Sequence, residues 1–229
     1  MRHGRLVVLA TVGALLTGCG GERATGTDHA AADALRTARQ KVTAAGSARV
    51  DATMRTGGTL SSRSTGTLSW SRGVEGTVTV RVTGGELAAS TRRLGGDPSQ
   101  TRFLPDAYYT RMTDTFAAGQ DGRHWIRHPY DTAGDLTPAE ALKTLGAADD
   151  VHRVGRATVR GTSTTHYRGT AGKQRLEVWL DARHFLVQRA YREGEFTVTV
   201  HYSDYGAPAA AERPPAHDTV DFADVAAGG

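Results

Sequence analysis

Between Ser47 and Tyr202 apolar and polar residues alternate in short runs. A period of two belongs to strands with one buried and one solvated face. Ala48, Val50, Ala52 and Met54 alternate with Arg49, Asp51, Thr53 and Arg55. Leu68 and Trp70 alternate with Thr67, Ser69 and Ser71, and Val78, Val80 and Val82 with Thr77, Thr79 and Arg81. Phe196, Val198, Val200 and Tyr202 alternate with Thr197, Thr199 and His201. Gly57-Gly58, Arg72-Gly73 and Gly84-Gly85 fall between runs, where turns need residues without steric restriction. Further strands are predicted near 86–93, 107–112, 123–128, 151–160, 164–170, 175–180 and 185–191. This spacing favours consecutive antiparallel pairing in a meander.

Two segments switch to the helical period. After Asp28, a suitable N-cap, Ala31, Leu35, Ala38, Val42 and Ala45 recur on one face, and Gly46 can close the helix. Thr137-Pro138-Ala139-Glu140 is a capping-box pattern with proline at the first helical position. Leu142 and Leu145 then share a face, and Gly146 ends it. The expected class is therefore α+β: a large antiparallel sheet of about 10–11 strands with two helices. Two short helices cannot cover so large an apolar face. The rest must curl on itself or be covered by a ligand.

The ends of the chain read differently. Arg2 and Arg5 precede an uncharged apolar run of 11 residues, 6–16. That is too short to span a bilayer, which takes about 20 helical residues, and it fits the core of a secretory signal. Leu16-Thr17-Gly18-Cys19 resembles the lipobox of bacterial lipoproteins. Cys19 is the single cysteine; its thiolate can accept a diacylglyceryl group, and no thiol is then left for a disulfide, a metal or catalysis. The expected organisation is a signal peptide at 1–18, a lipidated flexible tether at 19–27, the α+β domain at 28–206 and an extended Pro/Ala-rich tail at 207–229. The expected location is the outer face of the cytoplasmic membrane.

Composition narrows the function. The 28 basic residues comprise 25 Arg and 3 Lys, against 24 acids. The arginines are scattered, without a basic block or aromatic ladder, so no nucleic-acid partner is expected. The chain lacks a G-x-S-x-G elbow, a phosphate-binding loop, an H-E-x-x-H pair and a calcium loop. His124 and His128 lie four apart, but on a strand that separation is about 13 Å, too far for one metal. His166 and His201 read as surface or cross-strand partners. Asp149-Asp150 reads as a turn, and Asp114 and Asp121, near Arg111 and Arg123, as a solvated loop. No cofactor, metal or catalytic residue is expected.

A resemblance adds to this reading. The lipobox, tether and Ala-rich helix ending in Ala44-Ala45-Gly46-Ser47-Ala48 resemble the LppX/LprG-type envelope lipoproteins, within the wider LolA/LolB-like fold. Gly122-Arg123-His124-Trp125-Ile126-Arg127 is similar to that family's G-K-x-W strand, and Thr165-His166-Tyr167-Arg168-Gly169-Thr170 to its T-x-H-Y strand. Val178-Trp179-Leu180-Asp181 with Leu186-Val187-Gln188-Arg189, then Tyr202-Ser203-Asp204-Tyr205-Gly206 and Pro214-Pro215, are similar to its closing hairpin and tail. The resemblance implies a curved half-barrel packed on helices, an apolar cavity between them, and a non-enzymatic carrier of lipid or lipoglycan acyl chains. The positions expected to line that cavity are Val50, Met54, Leu68, Trp70, Val78, Val80, Met112, Leu142, Leu145, Val178, Leu180, Val198 and Val200. For Trp70, Met54 and Met112 ordinary core is the favoured reading. A monomer is expected, with the membrane as partner through acylated Cys19. The alternative is an envelope sensor that binds a protein through its tail or the Gly95-Gly96-Asp97-Pro98 loop.

Overall fold

The structure is a computed structural model that describes residues 28–130 and 137–227. The signal, tether and Cys19 expectations fall outside the described residues. Helix α1, His29–Ala45, starts where the Asp28 carboxylate accepts from the Ala30 and Ala31 amides, and it ends at Gly46 in the left-handed conformation. Both caps satisfy backbone groups that a helix end leaves open. Three long strands follow: β1 (Ser47–Thr56), β2 (Leu60–Ser69) and β3 (Glu75–Gly84). After helix α2 (Ala88–Gly95) come β4 (Ser99–Leu104), β5 (Ala107–Arg111), a single turn α3 (Asp114–Ala117) and β6 (Trp125–Pro129). Helix α4 (Pro138–Gly146) is capped by the Thr137 hydroxyl, which accepts from the Glu140 amide as its capping pattern requires. Five strands follow: β7 (His152–Val159), β8 (Thr162–Ala171), β9 (Gln174–Asp181), β10 (Leu186–Glu193) and β11 (Phe196–Ser203). The chain closes with β12 (Thr219–Asp221) and α5 (Phe222–Ala227).

All twelve strands join one open sheet in the order β12-β6-β5-β4-β3-β2-β1-β11-β10-β9-β8-β7. Every pairing is antiparallel except the last, in which β12 runs parallel to β6. The strand count exceeds the expected 10–11 because β4 and β12 carry little alternation. The strand expected at 86–93 is instead helix α2: Leu87, Ala88 and Ala89 are consecutive, so no period of two is present to favour a strand. The tail is extended only over 207–215. A 3-10 turn, Ala216–Asp218, then feeds β12 and α5.

The sheet coils strongly. A Cβ on Gly66 would lie 2.1 Å from the Thr77 carbonyl oxygen, and one on Gly76 2.1 Å from that of Thr67. Only glycine permits β2 and β3 to approach this closely. At the far side the β7–β8 tip curls over until Arg160 meets Asp51 of β1 at 2.8 Å. Helices α1 and α4 pack together on one face, called here the helix face. The tail crosses the opposite, strap face: Ser47 donates to the Ala207 carbonyl, Thr77 to that of Ala210 and Arg102 to that of Glu212.

Candidate functional site: an apolar wall and its uncovered end

Strand register sorts the helix face into rows that cross the sheet. Tyr202, Val50, Gly66, Val78 and Thr101 form one row. The next is Tyr167, Val178, Arg189, Val200, Ala52, Ser64 and Val80. The third is Leu176, Tyr191, Val198, Met54, Ser62 and Val82. Under α1 and α4 this wall is filled by the protein itself. Leu35, Val42, Leu142, Leu145, Val178, Leu180 and Leu186 are all essentially inaccessible. Val50, Leu68, Val78 and Val200 bury in the same cluster.

Beyond α1 and α4 the same face is less fully covered by the described residues. Ala52, Val80, Tyr191 and Val198 pack against the core cluster but are only half-buried, as is Met54. The middle of this wall is lined by small side chains, Ala52 and Ser64, with Gly66 in the adjoining row. Trp70 lies at the closed end, half-buried against the core, where its indole N–H donates to the Val42 carbonyl at 2.8 Å. Met112 lies apart from this wall. It lines a separate surface cleft of about 470 Å³ with Thr79, Pro98, Gln100 and Arg111.

Two polar groups interrupt the wall. Arg189 stands in the second row between Val178 and Val200. The Tyr202 hydroxyl is fully buried and, among the described residues, has no hydrogen-bond partner. Burial pushes its pKa up, partly offset by the Arg189 charge. An unsatisfied buried hydroxyl costs about 1–3 kcal/mol. Its neighbour Tyr205 is satisfied, donating to the Leu186 carbonyl at 2.8 Å. In the sequence Arg189 and Tyr202 stand within motif segments that give neither a place in the wall; Arg189 sharing a face with Val178 and Val200 across three strands is what register supplies.

The strap face carries a second cleft of about 480 Å³ between β1, β2, β11 and the β7–β8 tip. Asp51 holds Arg63 at 2.7 Å and Arg160 at 2.8 Å, and the Arg63 hydrogen bond keeps its carboxyl below the usual carboxylate range. Desolvation, with Arg160 nearby, lowers the pKa of His201 in the same cleft. Elsewhere on this face His166 stacks on Trp179 with ring centres 4.3 Å apart and reaches Glu177 at 2.8 Å. Asp150 accepts from the Thr170 amide and Asp121 pairs with Arg123. His128 stacks on Tyr108 rather than meeting His124. Among the described residues no group of three His, Cys, Asp or Glu is placed to hold a metal, and no helix is long and apolar enough to cross a membrane.

An open coiled sheet with helices on its apolar face is the fold of two solved mycobacterial lipoproteins. LprF from Mycobacterium bovis superposes with a TM-score of 0.53 at 14% identity, over 82% of this chain and 99% of that one. The lipoprotein LppX of Mycobacterium tuberculosis does so with a TM-score of 0.53 at 13% identity, over 81% and 100%. No protein-family model matches the chain. Over 218 residues it is 44% identical to "Putative lipoprotein SCO4650" of Streptomyces coelicolor, a match spanning 86% of this chain and 76% of that protein. It is also 34% identical over 238 residues to the "Uncharacterized 31.2 kDa protein in rplA-rplJ intergenic region" of Streptomyces griseus, covering 82% and 78%. The chain belongs to the family of these two Streptomyces proteins.

Proposed function

We propose that this is a non-enzymatic lipoprotein of the cell envelope that holds acyl chains against the uncovered end of its helix face. One observation carries the reading: the apolar wall continues past α1 and α4 as a half-buried patch of Ala52 and Val80 from the second row and Met54, Tyr191 and Val198 from the third. An acyl chain laid there removes apolar surface from water on both sides, at roughly 25 cal/mol per Å². Acylation of Cys19 would keep the domain at the membrane that supplies the lipid. Nine residues, 19–27, reach at most about 30 Å when fully extended. The name "Putative lipoprotein" of the Streptomyces coelicolor relative and the fold shared with LppX support this reading.

The test is uptake of a fluorescent fatty acid by the full chain purified from membranes, together with mass spectrometry of co-purified lipid. Val80→Trp and Val198→Trp fill the uncovered wall and should each reduce uptake several-fold with an unchanged circular dichroism spectrum. Absence of both co-purified lipid and uptake would refute acyl binding. In cell fractionation, Cys19→Ala should move the protein out of the membrane fraction; retention there would refute the anchor.

A further inference from the structure

We propose that the edge strand β7 docks on the anionic lipid surface to which the domain is anchored, with Arg153 and Arg156 meeting lipid phosphates. This rests on the acylation of Cys19 and adds the orientation of the anchored domain. β7 stands at one end of the sheet order and β12 at the other. The strand and its tip, 152–160, carry His152, Arg153, Arg156 and Arg160 and no acid. The opposite rim offers no surplus positive charge. There 214–227 carry Asp218, Asp221 and Asp224 with neither lysine nor arginine, and Arg127 beside them is paired with Asp221.

A bulge shapes the basic rim. Arg153 stands opposite Tyr167 of β8 and Arg156 opposite Thr165, with a register shift between Arg153 and Gly155. Tyr167 and Thr165 share a face, so the extra residue brings both arginines onto one face although they are three apart. Both are exposed, as is Val154, which is 45% accessible and has no residue opposite it. Arg160, by contrast, is committed to Asp51, and Arg153 acts on Tyr167 through its charge. The nearest acids along the chain, Asp149 and Asp150, precede the strand, and Asp150 accepts from the Thr170 amide. A bulged, charged edge resists the addition of another strand, which disfavours an extended peptide as occupant. Lipid headgroups demand no register, and a guanidinium can hold a phosphate through paired hydrogen bonds. At an anionic surface each arginine raises binding about fivefold. The point where the tether joins adds the second argument. The Asp28 amide donates to the Val151 carbonyl at 3.2 Å, at the head of β7. Arg153 and Arg156 follow within about 17 Å of Val151 at the rise of a strand. The anchor is thus attached beside the basic rim, and a tether reaching at most about 30 Å keeps that rim near the bilayer.

The experiment places a probe on the rim. Cys19 is the single cysteine, so in the acylated protein Val154→Cys supplies the one free thiol for a fluorescent label. Ala223→Cys, exposed on α5 beside β12, is the control. The full chain, purified from membranes, is reconstituted into vesicles of phosphatidylcholine or of equimolar phosphatidylcholine and phosphatidylglycerol, each with spin-labelled headgroups as quencher. On anionic vesicles the label at position 154 should be quenched at least twofold more than the label at 223. That difference should vanish on phosphatidylcholine and in high salt. It should also vanish when Arg153→Gln and Arg156→Gln are combined, and persist when both are changed to Lys. Equal quenching at the two positions on anionic vesicles, or a difference that survives the double glutamine variant, overturns the docking surface while leaving the anchor standing. Failure of the protein to float with either vesicle overturns the anchor, and this surface with it.

Discussion

Strands β8–β10 and strands β4–β6 belong to one sheet but are buried from opposite sides. In the first group Leu176, Val178, Leu180 and Leu186 point to the helix face and disappear beneath α1 and α4. In the second, Leu104, Ala107, Tyr109 and Trp125 point to the strap face and are covered by the tail around Ala211. The helix-facing side of that second group keeps half-buried rings instead, Phe103, Tyr108 and His128 stacked in series. The difference is one of covering element. A helix brings a continuous apolar stripe; an extended strap brings one or two side chains and its backbone. The strap is therefore held by polar contacts: Arg213 pairs with Asp106 at 2.6 Å and donates to the Tyr109 hydroxyl. One half of the sheet is a deep core. The other is a shallow one, and the uncovered wall lies between them.

The largest test of this contrast is truncation of one leucine in each half. Leu145 is fully buried in the deep core, with its side chain against Gly169. Leu145→Ala should cost about 3–4 kcal/mol in urea unfolding, because neighbours held by two helices cannot collapse into the cavity. Leu104 lies under an extended strap that brings few apolar side chains, and Leu104→Ala should cost about 2 kcal/mol. Equal losses would show that the strap packs as tightly as the helices and would erase the distinction.

Much of the deep half was legible in the sequence. Asp28, Gly46 and the Thr137-Pro138-Ala139-Glu140 box mark both long helices, and the alternations of β1–β3 and β11 fix which residues share a face. The shallow half was not. In β4, Phe103 and Leu104 are adjacent apolar residues on opposite faces, so the strand shows no clean period. β12 has three residues and owes its place to β6 and to Asp218, contacts that are remote in the chain. Of the expected cavity positions, Leu142, Leu145, Val178 and Leu180 bury in the core, while Met54, Val80 and Val198 sit at its open rim. Periodicity reports the face a residue takes; it carries no information on whether a helix reaches that row. The face of Arg189 was hidden for a related reason, since the bulge between Leu186 and Gln188 resets the face along β10.

A smaller effect would sharpen the boundary between core and wall. Tyr202→Phe removes the orphaned hydroxyl and keeps the ring, so the ligand-free protein should gain about 1 kcal/mol. Thermal unfolding measures it. A loss of stability instead would mean that the hydroxyl already has an acceptor in the free protein, and that the wall closes there without a ligand.

The smallest effect concerns how the strap ends. His124 lies just before β6, and its Nδ1 is 2.8 Å from the Asp218 carboxylate that also accepts from the His124 amide. Its Nε2 is 3.1 Å from Asp114. Hydrogen bonding to Asp218, and secondarily to Asp114, raises the histidine pKa above its ordinary value near 6.5. A group whose pKa is higher folded than unfolded contributes fully below the unfolded value and loses that contribution as pH rises through the folded one. Docking of β12 should accordingly be firmest below about pH 6.5 and weaken at higher pH. Asp218 sets the opposite limit, because its lowered pKa means that the contact also fades in strong acid. Hydrogen exchange of the Thr219, Val220 and Asp221 amides, corrected for intrinsic rates, should show protection falling as pH rises above about 6.5, with the amides of α1 unchanged. His124→Gln should flatten that profile. A decline that persists in His124→Gln would assign the pH dependence to another group, and a parallel decline in α1 would show that the shallow and deep halves open as one unit.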